Sequence, residues 1–274
     1  MTFLTNIFDR ILYKLEYSKL NIFKTLIFNF RTMPFKTAMK FPVLLYGKID
    51  LYILKGTVEF QNCEIKKGMI KMGMNKEYLS TVKGSSLFIL DRNSKLIFNG
   101  ISEFSSNFLV RTGKGARLTI GEGTFFGANT KLVCIKKISI GNQTRIGFES
   151  QIIDSNFHYT FNTEKKDLQP RDAEISIGNY NWIGNRTTIS KGTSTNSFTI
   201  IANSSIVNKN YTKNIEPYIV LAGAPAKILT KNVRRVYDLE LENKLNELFI
   251  KGDKLIDEEF ITKIELSLRK MKHD

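Results

Sequence analysis

Along the second half of the chain, aliphatic positions recur every six residues. Ile177, Ile183, Ile189, Thr195, Ile201 and Val207 form one ladder. Ile120, Phe126 and Leu132, then Ile140, Ile146 and Ile152, form the same ladder upstream. A period of six is neither the 3.6 of a helix nor the alternation of a flat strand. It is the period of a hexapeptide β-helix, in which short strands meet at tight corners and coils stack. Glycine follows Ile177 and Ile183, where a sharp turn of the backbone is expected to require it. Each ladder residue contributes roughly 1.5–3 kcal/mol once neighbouring coils bury it.

The pattern changes on either side of this stretch. Residues 7–30 carry apolar side chains at helical spacing, first Ile7, Phe8, Ile11, Leu12 and Leu15, then Ile22, Phe23, Leu26, Ile27 and Phe30. Two readings stay open for them: a cap over the open first coil, or an anchor to a membrane surface through the interspersed Lys14, Lys19, Lys24 and Arg31. From Lys48 to Arg117 the repeat is worn, and short apolar strands are expected at Leu51–Leu54, Leu87–Leu90, Leu96–Phe98 and Phe108–Val110. From Ile152 to Ile177 the step is 25 residues, so a loop of about 19 residues should project there. After Val220 the chain is expected to leave the coil. Residues 233–271 then read as two helices broken near Gly252, with Asp257 capping the second. This gives a helical segment over 1–46, a coil domain over 47–232 and a helical segment over 233–274.

Composition narrows the function. The 274 residues carry a net charge of +15, and 41 Lys and Arg face 26 acids. A basic body suits an anionic partner such as a phosphorylated cofactor, a nucleotide-linked substrate or a membrane surface. No nucleic-acid-binding signature accompanies the charge. Cys63 and Cys134 are too few for a disulfide framework. Asparagines at 142, 185, 203 and 210 begin Asn-x-Ser/Thr sequences, better read as corner residues. Charges interrupt the N-terminal apolar run, and no uncharged apolar stretch is long enough to span a bilayer. A cytoplasmic protein is expected, with peripheral contact at the inner face of the membrane under the anchor reading.

His158 is the candidate for chemistry. It begins the projecting loop, beside Asp154 and Asn156, where the repeat breaks. An imidazole can take a proton from a hydroxyl and return it to a leaving group. With His273 as the one other histidine, a three-histidine zinc site cannot be built on a single chain, and no metal is expected. Asp154 and Asn156 serve equally well as turn formers. Trp182, the single tryptophan, falls on the outer side of a coil, and Lys209, Lys213, Lys227 and Lys231 cluster after the last one.

The order DSNFH (154–158), IGNYNWIG (177–184), IIANSSIVNK (200–209) and AGAPAKI (222–228) resembles the hexapeptide-repeat acyltransferases. Within them it looks most like the sugar O-acetyltransferases of capsule, exopolysaccharide or O-antigen synthesis. The resemblance implies an all-β core, a left-handed parallel β-helix with N- and C-terminal α-helices. It also implies a homotrimer, acetyl-CoA as donor and active sites between subunits. By position, His158 is the general base, with Asp154 and Asn156 beside it. Trp182, Asn185, Asn203, Asn208, Lys209, Lys213 and Lys227 fall where coenzyme A is held. Asn156 replaces the second Asp of the family's Asp-x-Asp-Phe-His pattern, Asn208 replaces Thr, and NYTK (210–213) lengthens a loop. The implied reaction is acetyl transfer to a hydroxyl of a sugar or glycan. Transfer to an amine, and a scaffold trimer without catalysis, are the alternatives.

Overall fold

Three parallel sheets wall a prism, and the chain visits them in a fixed order. A computed structural model describes residues 19–74, 84–213, 218–250 and 258–270. The first wall has nine strands, beginning at Val43–Leu45 and ending at Ile219–Gly223 and Ala226–Lys231. The second has seven, from Ile49–Leu54 to Ile206–Val207, and the third has five, from Thr57–Phe60 to Ile175–Ile177. Single bridges at Ser194 and Asn210 extend the third wall. The fold is a left-handed parallel β-helix.

The six-residue ladder becomes three columns in register. Ile120, Ile140 and Ile177 stack on the third wall. Phe126, Ile146, Ile183 and Ile201 stack on the first. Leu132, Ile152, Ile189 and Val207 stack on the second, and every one of these side chains is buried. Thr195 interrupts the aliphatic series without leaving an orphan. Its hydroxyl donates to Asn181 Oδ1 at 3.0 Å and accepts from the Gly178 N–H at 3.3 Å.

The glycines after the ladder residues have a different cause from the one expected. The left-handed backbone falls later in each corner, on Gln143, Glu149, Tyr180, Arg186, Phe198 and Ser204. Glycine is needed because the next coil is too close. A Cβ on Gly141 would stand 2.5 Å from the Asn179 backbone nitrogen, and one on Gly184 would stand 2.6 Å from that of Asn203. Asn142 and Asn179 sit at these corners, where each side-chain oxygen accepts an N–H from the coil below.

The early coils keep this register with a different interior. Strands Ile49–Leu54, Ser86–Leu90, Lys95–Phe98 and Leu109–Thr112 replace the worn repeat. Phe88, Phe98, Phe104 and Phe108 fill the prism between them. Insertions collect at the corner from the second wall to the third. The step there runs from Val110 to Ile120, from Leu132 to Ile140 and from Ile152 to Ile177, against only Ile189 to Thr195 in the following coil.

Both ends of the coil are closed. Helix α1 (Ile22–Thr32), capped by Asn21, lies over the first strand. Its Asn29 amide donates to the Val43 carbonyl at 2.8 Å, and the Leu45 N–H donates to Thr25 Oγ1 at 3.0 Å. Those bonds meet backbone groups that an open edge would leave unpaired. Helix α2 (Phe35–Ala38) follows. At the far end the chain does not leave the coil after Val220. Ala226–Lys231 turns back antiparallel on Ile219–Gly223 and covers the last edge.

By compactness the chain divides at Val233, which puts the described N-terminal helices in one unit with the coils. The second unit, Arg234–Asp274, holds α3 (Leu239–Ile250) and α4 (Glu258–Lys270). Helix α3 begins at Leu239, after Val236, because Asp238 Oδ1 accepts from the N–H groups of Glu240 and Leu241. The expectations placed on Ile7, Phe8, Ile11, Leu12, Leu15, Gly252, Asp257, Met271 and His273 lie outside the described residues.

Candidate active site

The loop with His158 is rooted by a buried carboxylate. Asp154 ends the strand Gln151–Ile153 and is fully buried. Its Oδ1 accepts from the Ile135 N–H at 2.6 Å, and its Oδ2 accepts from the N–H groups of Lys136 and Lys137, each at 2.8 Å. The two extra residues between Leu132 and Ile140 create this cradle of successive amides, which suits an anion. Burial pushes the Cys134 thiol far up, and the Asp154 charge adds to the effect, so the cysteine stays a thiol.

Above that root the loop has a neck that sequence reasoning missed. The Ser155 hydroxyl donates to Asp172 Oδ1, and the Asn156 N–H donates to the Arg171 carbonyl at 3.0 Å. Arg171 grips Asp172 through Nε and Nη2 at 2.9–3.1 Å. That hydrogen bonding holds the Asp172 carboxyl below the usual carboxylate range, and Ser155 and Lys191 act in the same direction. No sequence period links residues 155 and 172, because the segment between them is the insertion itself.

The neck presents His158 to solvent. Phe157 adopts a left-handed backbone (φ +61°), and the Arg111 guanidinium lies 5.6 Å over its ring. Arg171 lies at the same distance over exposed Tyr159. Strands Thr160–Asn162 and Asp167–Gln169 then pair as an exposed hairpin. His158 is exposed, and no hydrogen bond to its imidazole occurs among the described residues. Neither Asp154 nor exposed Asn156 bonds it, and both Asp154 oxygens face backbone amides.

The other candidate residues fall into two groups. Trp182, 43% exposed, stands on the outer side of the first wall between Arg145 and Ile200. Asn185 and Asn203 stack at the next corner, where the Asn185 carbonyl accepts from the Ser204 N–H at 3.0 Å. The second group lies elsewhere. The corner that carries the His158 loop carries Lys191 one coil on, and Asn208 and Lys209 in the coil after that. Lys209 Nζ lies 5.9 Å over the ring of Tyr211, whose hydroxyl donates to the Ala226 carbonyl at 2.9 Å, beside Lys227. Lys209, Lys213 and Lys227 are all exposed. Trp182 and the root of the His158 loop therefore stand on opposite sides of the prism, since the first wall faces the corner between the other two. Among the described residues no group of three or more His, Cys, Asp or Glu could hold a metal ion.

No protein-family model matches the chain. An uncharacterized 24.8 kDa protein in the cps region of Klebsiella pneumoniae is 23% identical over 204 residues, 74% of this chain and 86% of that protein. The polysialic acid O-acetyltransferase of Escherichia coli O1:K1 / APEC is 32% identical over 121 residues. That match spans 44% of this chain and 38% of the relative. The crystal structure of the polySia-specific acetyltransferase NeuO covers 77% of this chain and 98% of its own, at 21% identity and a TM-score of 0.43. With the in-register coils, the ordered motifs of residues 154–228 make the chain similar to the hexapeptide-repeat acyltransferases.

Proposed function

We propose that the protein transfers an acetyl group from acetyl-CoA to a hydroxyl of a sugar in a bacterial surface polysaccharide. The carrying observation is His158, exposed and without a hydrogen-bond partner among the described residues, at the top of a loop whose root and neck are tied down. His158 removes the acceptor's hydroxyl proton as the oxygen attacks the thioester carbonyl, then returns a proton to the departing thiolate. Asp154 and the Ser155–Asp172–Arg171 neck hold the loop in place, and Asn156, exposed two residues before His158, orients the acceptor. Direct transfer is favoured over an acyl-enzyme because burial keeps Cys134 protonated and also raises Cys63.

The donor is proposed to lie along the outer coils. Trp182, Asn185 and Asn203 take the pantetheine arm, and Asn208, Lys209, Lys213 and Lys227 meet the phosphates. Trp182 and the root of the His158 loop stand on opposite sides of one prism, which supports a homotrimer with each site shared between neighbours. The name of the polysialic acid relative and the net charge of +15 support an anionic glycan as acceptor. The protein is placed on the cytoplasmic side, with its N-terminal segment against the membrane.

His158→Ala tests the mechanism. A general base acts in the transition state, so kcat is expected to fall about 10²–10⁴-fold while donor affinity stays nearly unchanged. Full activity in a folded variant on the true acceptor would sink the mechanism. Matched hydroxyl and amino acceptors, read by mass spectrometry, decide between O- and N-transfer.

A further inference from the structure

Helix α1 docks through its polar side. Its buried residues are Thr25, Phe28, Asn29 and Thr32, and the hydroxyl and amide groups among them bond the first strand. The cap therefore does not use the apolar face. Ile22, Phe23, Leu26, Ile27 and Phe30 stay exposed, and Phe35 of α2 is 70% exposed with its ring 5.8 Å from that of Phe30. Between Lys19 and Ile49 the chain has six Lys and Arg and no acid. Lys19, Arg31, Lys36 and Lys40 are all exposed around this face.

We propose that this face is a docking surface for an anionic lipid bilayer, with α1 lying in the plane of the headgroups. The inference rests on the membrane placement and is independent of the transfer chemistry. Charge decides among the occupants. A second copy of the same face would bring two acid-free sets of six cations together, whereas a bilayer of anionic lipids supplies the opposite charge and an apolar interior. Among the described residues no helix is long and apolar enough to cross a membrane. The His158 loop leaves the fifth coil, four strand spacings from the first, roughly 19 Å along the axis. The root of the loop thus stands clear of the end of the coil that meets the bilayer.

The test uses full-length protein and two vesicle types, pure phosphatidylcholine and an equal mixture of phosphatidylcholine with phosphatidylglycerol. The wild type is expected to co-sediment with the mixed vesicles and to release at high salt. Phe23→Ser with Phe35→Ser should abolish binding, and Lys36→Glu with Lys40→Glu should weaken it by about tenfold or more. All four side chains are exposed, so the unfolding transition and acetyl transfer to a soluble acceptor should stay unchanged. A wild type that ignores both vesicle types overturns the membrane placement as well as the surface. Vesicle binding that survives both double variants overturns this surface alone. If the serine variant changes the sedimentation coefficient of vesicle-free protein, the face joins copies of the chain and the lipid proposal falls.

Discussion

The coils before and after Phe126 share one register and have different interiors. In the early ones the core is aromatic, with Phe88 and Phe108 at 5.1 Å and Phe104 stacked on Phe126 at 4.0 Å. In the later ones Ile146, Ile152, Ile183 and Ile189 fill the same columns. Parallel pairing continues through both halves, from Val43↔Ile70 to Ile201↔Leu221. A prism therefore needs a filled volume in every coil and does not need a repeated residue. Where one ring occupies the space of several methyl groups, the step between filled positions can vary and the period fades.

Truncating the aromatic core should give the largest effect. Phe104→Ala is expected to lose about 3–5 kcal/mol and Ile183→Val about 0.5–1.5 kcal/mol, both read from urea unfolding. Equal losses would break the comparison, because they would mean that the two interiors are packed alike.

Next comes the root of the insertion in the later coils. Asp154→Asn keeps the shape but sets an amide N–H against backbone donors, at a cost of about 1.5–3 kcal/mol. The cut sites of limited proteolysis should move into residues 155–173, and kcat should fall with little change in donor affinity. An unaltered digestion pattern would show that the loop is held elsewhere.

Glycines sharpen the comparison further. Gly115 in the early half has φ +72° and nothing within 4 Å of a Cβ, so Gly115→Asn should carry only the strain of the left-handed backbone, about 1 kcal/mol or less for an asparagine. Gly141 in the later half needs the absence of a Cβ, so Gly141→Asn should destabilise by about 1–3 kcal/mol. Thermal unfolding of the two variants side by side reads the difference, and a reversed order would refute the close-approach explanation.

The smallest effect is a local response to acid. The Asp172 carboxyl is held down by Arg171, so its stabilisation is complete above the carboxyl's unfolded value near 4. It is lost as pH falls through the lower folded value. Protease sensitivity of the loop should rise on acidification below about pH 4, and Asp172→Asn should flatten that response. A loop equally resistant at all these pH values would remove the neck from the account.

Much of the site was legible for a simple reason. A break in a strict period can be counted, so the insertion between Ile152 and Ile177, which carries His158, could be placed from spacing alone. The neck could not be found in that way. Ser155 and Asp172 meet across an insertion, and nothing in their neighbours announces the pair. Asp154 reads as a turn former in sequence, and only the cradle of amides from Ile135 to Lys137 gives its carboxylate a partner.

The sequence by itself determined the interior of the later coils. From Ile120 on, its six-residue period named the residues of all three columns, whereas in the earlier coils Phe88, Phe104 and Phe108 fill the prism without that period. It also determined the place of the insertion, because an added segment resets the count. Tertiary structure alone decided which wall each residue stands on, and so put Trp182 opposite the root of the His158 loop. It decided that glycine is needed at Gly141 and Gly184 for the approach of the next coil and not for the turn. It also decided that α1 caps the prism with Thr25 and Asn29 while its apolar face stays outside. Those outcomes depend on distances between coils, which sequence spacing within one coil does not encode.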